Sequence, residues 1–177
     1  GRADCQNDFN PFPIMRTSQY YTWSEEMLKS YIHDFHVANE KGWNLITEKY
    51  GRMMESTTPL KYMQICDSLP EVPEEKKEII EEIVKLQVGW MEDFAERYPK
   101  AAENARSIHT YEDNPFNTSY ETYLRGELMT YSDKTLDLYG RFVANLYMEG
   151  KNLAEMTMRN TALLYGYESL EDLESKL

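Results

Sequence analysis

Basic charge, cysteine, histidine and glycine-rich motifs are all scarce in this chain of 177 residues, and each scarcity removes a class of function. Nineteen lysines and arginines face 31 acids, and the bases are scattered among them, giving a net charge of −12. A nucleic-acid binder needs a basic footprint that releases counterions from phosphates, so no nucleic-acid partner is expected. Anionic membrane surfaces are disfavoured on the same ground, and no apolar run approaches the roughly 18 residues of a membrane span. The acidic balance suits solubility instead. Cys5 and Cys66 form no metal or redox spacing, so a reducing cytoplasmic setting is the default and a Cys5–Cys66 disulfide the minor alternative. There is no glycine-rich phosphate loop, no Gly-x-Ser-x-Gly elbow and no zinc signature.

Metal chemistry has little to work with. A di-iron carboxylate bundle needs paired Glu-x-x-His motifs, and neither His33 nor His36 has a glutamate at that spacing. His33 projects away from its helix's apolar stripe. His36 and Glu40 stand one turn apart, where a solvated ion pair is the commoner outcome than a metal corner. No metal ligand and no cofactor is assigned.

What the chain does have is apolar and aromatic mass. Hydrophobic residues make up 41% and aromatics 13%, too much for a disordered segment. The length supports one self-sufficient core, read as a single domain over 1–177. The start at Gly1-Arg2-Ala3 rather than methionine fits a missing N-terminal leader. Fourteen tyrosines suit core edges, pockets and interfaces, because each joins an apolar ring to a polar tip.

Helix signals run through the chain and strand signals are nearly absent. Thr22 with Glu25 forms a capping-box pattern opening a helix to about Asn39, with Leu28, Tyr31, Ile32, Phe35 and Ala38 as its stripe. A second helix over 43–55 uses Leu45, Ile46, Tyr50 and Met53. Thr58-Pro59 opens a short one with Tyr62, Met63 and Cys66. The stretch 74–98 is long, acidic in its first turns and stopped by Pro99. Thr118 with Glu121 opens another that would reach Glu149 unless Ser132-Asp133 breaks it, and Gly150 closes it. Asn152 starts a helix ending at Gly166, and Ser169 with Asp172 caps the last. The expected architecture is an all-α bundle of six or seven helices with two long polar loops.

Those loops, 2–19 and 103–118, carry Arg2, Asp4, Cys5, Gln6, Asp8, Arg16 and Gln19 in one, and Arg106, His109, Glu112, Asp113, Asn114 and Asn117 in the other. Long loops inside compact domains are usually functional or disordered, and here the apolar anchors Phe9, Phe12, Ile14, Met15, Ile108 and Phe116 argue for order. Three further polar residues fall inside apolar helix faces when the helices are projected at about 100° per residue. These are Gln87 beside Ile83 and Trp90, Glu127 between Leu124 and Tyr131, and Asn160 between Met156 and Leu164. Buried polar groups must be hydrogen-bonded or line a wet cavity. Either they form a closed core network, Glu127 with a tyrosine or Lys134, or they converge on a pocket between helices.

The pocket reading assigns Arg16, Gln19, Gln87, Arg125 and Asn160 to ligand binding, with Arg16, Arg106 and Arg125 able to clamp a carboxylate or phosphate. Its acid–base pair would be Glu127 and His109, and its nucleophile Cys5, with Arg2 or Arg16 lowering the thiol pKa. Each has a plainer alternative: a paired arginine, a loop hydrogen bond, a packed thiol.

The runs Gly1-Arg-Ala-Asp-Cys-Gln6, Met15-Arg-Thr-Ser-Gln19, Thr47-Glu-Lys-Tyr50, Gln87-Val-Gly-Trp-Met91 and Tyr120-Glu-Thr-Tyr-Leu-Arg-Gly-Glu127 together resemble a bacterial domain-of-unknown-function family, numbered four-one-two-five. The likeness spans almost the whole chain. It implies a bacterial, cytoplasmic origin and an N-terminal segment upstream, and it supplies no catalytic residues. The expected function is therefore binding, with or without transformation, of a small polar metabolite. The alternative is a non-enzymatic interaction module, a homodimer or a partner groove built on tyrosine and methionine.

Overall fold

Prolines open some of this chain's helices, and serine or asparagine caps open the others. The computed structural model describes residues 11–177, and for Pro11 and Phe12 the backbone alone. Among these residues are ten α-helices and no strand, with one isolated antiparallel bridge between Asn114 and Asn117. The helices are α1 (Pro11–Tyr20), α2 (Glu25–Glu40), α3 (Leu45–Thr57), α4 (Pro59–Ile65), α5 (Glu74–Arg97), α6 (Pro99–Glu103), α7 (Tyr120–Leu128), α8 (Asp133–Met148), α9 (Leu153–Leu164) and α10 (Leu170–Lys176).

The all-α class stands, but the helix count exceeds six or seven for three local reasons. Pro11 and Pro13 suggest loop, yet both lie in the first turn of α1, where amides have no intrahelical acceptor to lose. The expected first polar loop is thus helix from Pro11 onward, and its remainder, with Cys5, lies outside the described residues. Pro99 ends α5 and at once begins α6. Ser132 breaks the expected 118–149 helix by capping α8, its hydroxyl accepting the Thr135 amide. Two caps also shift along the chain. Ser24 accepts the Met27 amide and Ser119 the Thr122 amide, in place of Thr22 and Thr118. Gly150 follows α8 at φ 70°, as a left-handed closing residue should.

α5 is the central element, packing against α6, α7, α8 and α9. α1 lies on α9, α3 on α7 and α2 on α8, while α10 joins α9 to α6. The main core gathers Ile80, Ile83 and Val84 of α5 with Leu124, Leu128, Leu136, Val143 and Leu146. Into it Trp23 inserts, with ring centroids 5.2 Å from Tyr20, 5.6 Å from Tyr31, 5.7 Å from Tyr139 and 6.3 Å from Tyr131. Edge-to-face and tilted pairs of this kind add to simple burial. A smaller core of Met91, Phe94, Ala101 and Leu170 seals the far end of α5.

Several expected stripe residues face water. Ile32, Ile46, Tyr50 and Met63 are exposed, as are the loop anchors Met15 and Phe116. On α3 the buried face is instead Glu48, Lys49 and Met53. That rotation brings charge into the interior. No helix among the described residues is long and apolar enough to cross a membrane.

Candidate functional site

Glu127 lies on α7 with its side chain 3% exposed. Its Oε1 accepts from Arg16 of α1 at 2.8 Å and stands 3.6 Å from Lys49 Nζ of α3. Its Oε2 accepts from Tyr131 Oη at 3.0 Å. Arg16 also donates to Gln19 at 2.9 Å and to Tyr20 Oη at 2.6 Å, and Lys49 donates to Tyr123 Oη at 2.9 Å. Two cations thus share one buried carboxylate inside a ring of phenols. Burial raises the Tyr131 phenol well above its ordinary value, and the Glu127 charge adds to it; burial raises Tyr20 and Tyr31 too. These hydroxyls therefore stay protonated and able to donate. Close packing fixes the arrangement, since a Cβ on Gly126 would stand 3.0 Å from Met53 and 3.3 Å from the Lys49 carbonyl.

The other expected ligand-binding residues do not join this network. Gln87, though buried as expected, donates to Tyr139 Oη at 2.7 Å and accepts from Tyr120 Oη at 3.1 Å, a closed pair of bonds in the core. Asn160 is half-buried and donates to the Ser18 carbonyl at 3.0 Å, pinning α9 to α1. Arg125 is committed to Glu81 at 2.5 Å and Glu121 at 2.6 Å, with Thr110 Oγ1 at 3.1 Å. Lys134 is exposed and plays no part in holding Glu127; Arg16 and Lys49 reach the carboxylate instead. His109 and Glu127 share no partner, because the nearest carboxylate to His109 Nε2 is Glu92 of α5 at 3.2 Å. The expected acid–base pair is therefore divided between two places.

The second polar loop is ordered by its own hydrogen bonds. Tyr120 N donates to the Ser107 carbonyl at 2.7 Å and Glu121 N to that of Ile108 at 3.0 Å. Asp113 gathers the Ser119 amide at 2.7 Å, Ser56 Oγ at 2.5 Å and the Thr122 hydroxyl. Burial opposes ionisation of Asp113, but these donors outweigh it and hold the carboxyl below its usual range. Between the loop and α5 lies a cleft of about 420 Å³, lined by Arg106, His109, Glu103 and Glu112 together with Met91 and Ile108. The His109 ring stacks on Tyr111 at 4.9 Å and 9°. Arg106 is exposed and, among the described residues, has no carboxylate within ion-pair distance. Its guanidinium lies 4.7 Å from the Tyr123 ring centroid, and Lys49 Nζ lies 4.4 Å from the same centroid. Tyr123 thus joins the cleft to the Glu127 network.

A model of a protein family of unknown function, DUF4125, matches residues 1–175. The chain belongs to the DUF4125 family. Neither the curated proteins nor the solved structures contain a match to it. Family membership therefore carries no ligand or reaction with it, and the chemistry must come from the side chains.

Of the residues at these two places, sequence reasoning names Glu127, Arg16, Gln19 and His109 and passes over Lys49, Tyr123 and Glu92. Lys49 was hidden because α3 has apolar residues on two faces, and the outer set looked like the stripe. Tyr123 had a usable signal, standing four residues before Glu127 on the same helix face. Among the described residues no three His, Cys, Asp or Glu side chains stand close enough to hold a metal ion. The weak corner at His36 and Glu40 consists of two exposed side chains.

Proposed function

We propose that this protein binds a small zwitterionic metabolite, one carrying a carboxylate and an amine, in the cleft beneath the second polar loop. The carrying observation is Arg106, without an acidic partner among the described residues, lining the same 420 Å³ space as Glu103 and Glu112. A guanidinium suits a ligand carboxylate, and two glutamates suit its ammonium. Met91, Ala95 and Ile108 supply an apolar side for an aliphatic tail. The volume falls within the range of roughly 300–1,000 Å³ usual for small-molecule sites. His109, positioned by Glu92 and Tyr111, presents the one imidazole in the cleft lining as a proton donor or acceptor to the ligand. The Glu127 network stands behind the cleft and fixes Tyr123, against which Arg106 rests. A bacterial, cytoplasmic setting belongs to the same reading.

A thermal-shift screen of free amino acids, simple carboxylates and simple amines tests it. Zwitterions should stabilise the wild type, and Arg106→Met should abolish the effect. Glu127→Gln should lower the melting temperature yet keep a ligand shift. A hit that survives Arg106→Met but vanishes in Glu127→Gln would move the site to the ionic network and overturn the proposal.

A further inference from the structure

Between α5 and α8 runs an open groove of about 840 Å³, none of whose lining residues belongs to the Glu127 network or the loop cleft. On α5 its wall residues Lys76, Ile79, Ile83 and Leu86 recur at three- and four-residue intervals; on α8 Leu136, Gly140, Val143 and Tyr147 do the same. Such spacing is one face of a helix, so each wall is a row roughly 15 Å long at 1.5 Å per residue. The floor is buried, made by Ile83, Leu136 and Val143. The lips are apolar yet exposed, with Ile79 at 53%, Tyr147 at 63% and Met148 at 75%. Two helical rows flanking an apolar trough are the setting into which a third amphipathic helix lays its anchors.

Charge selects the occupant. The rim holds Glu75, Glu82, Asp133 and Asp137 against Lys76 and Arg141. Both cations are already committed: Lys76 to Asp133 at 3.0 Å and the Tyr131 carbonyl at 2.7 Å, Arg141 to Asp137 at 3.0 Å. Among the described residues Glu75 and Glu82 have no cation within ion-pair distance. A second copy of this chain, itself carrying −12, would set one acidic rim against another. An anionic lipid surface would meet the same repulsion. We propose that the groove docks an amphipathic helix of about three turns from another protein, apolar on one face and lined with lysine or arginine on its flanks.

The test uses a fluorescein-labelled peptide of about 14 residues, with leucines at i, i+3, i+4 and i+7 and lysines on the flanks, beside a twin with glutamates in place of lysines. Fluorescence anisotropy should saturate for the lysine peptide with a Kd on the order of 10 µM at low salt, and the glutamate twin should bind at least about tenfold more weakly. Ala144→Arg places a long side chain in the trough from an exposed position, so the fold should persist by circular dichroism while binding is lost. Glu75→Lys with Glu82→Lys should reverse the preference between the two peptides. Equal binding of both peptides, no saturation, or binding unchanged by Ala144→Arg would overturn the proposal. So would a concentration-dependent dimer that Ala144→Arg abolishes, since the groove would then be filled by a second copy.

Discussion

Arg16, Lys49 and Tyr131 meet both oxygens of Glu127 in the interior. Removing the charge alone leaves two cations desolvated beside an uncharged amide, so Glu127→Gln should cost about 3 kcal/mol in urea unfolding. Replacing all three charges with apolar groups, Arg16→Met and Lys49→Met with Glu127→Leu, should recover much of that loss, because a buried ionic cluster often breaks even against well-packed hydrophobic residues. Strict additivity of the single changes would contradict the network. Glu127 was legible in the sequence because a carboxylate between Leu124 and Tyr131 breaks an apolar face. Gln87 was legible in the same way, but its tyrosine partners come from other helices, and projection of one helix cannot find them. Arg125 reads as a clamp in sequence, whereas Glu81 on α5 and Glu121 neutralise it once the helices pack.

Helix interiors offer a paired test on glycine. Gly89 in α5 has nothing within 4 Å of where a Cβ would stand, so Gly89→Ala should stabilise by about 0.5–1 kcal/mol through helix propensity alone. Gly126 in α7 packs on the Lys49 carbonyl and Met53, so Gly126→Ala should destabilise by about 1–3 kcal/mol and disturb Lys49. Thermal melts of the two variants should move in opposite directions; a shared direction would contradict the α3–α7 packing. Helices with one clear stripe and a stop signal, such as α5, α9 and α10, were readable to within a residue or two. α1 was not, because its first-turn prolines imitate a loop; α3 was readable in its bounds, 43–55 against Leu45–Thr57, but not in its buried face, because its outer face is as apolar as its inner one. The 103–118 loop was readable as irregular and ordered, yet its order comes from Asp113, Ser107 and Thr110 rather than from Phe116, which is 98% exposed.

Across the whole molecule the tyrosines set the alkaline limit. Burial raises the phenols of Tyr20, Tyr31, Tyr120, Tyr131 and Tyr139 above the ordinary value of 10.0. The unfolded chain therefore releases these protons first, so the stability they confer is complete below pH 10 and falls as pH rises beyond it. Each such phenol should contribute a loss of about 1.4 kcal/mol per pH unit above that point. The part of the phenolate absorbance that belongs to these five should appear only at unfolding, as a sharp step. A gradual rise in which all fourteen tyrosines titrate together while far-UV circular dichroism stays constant would contradict the buried cage. The claim that the second loop covers a ligand cleft is best tested at His109, for which His33 and His36 serve as internal controls. The measurement is imidazole ¹⁵N shifts on a ¹⁵N-labelled sample titrated with norleucine, hexanoate and pentylamine. The account predicts a saturable shift at His109 alone, larger for norleucine than for either half-molecule and absent in Arg106→Met. No saturable shift at His109, or equal shifts at all three histidines, would contradict it.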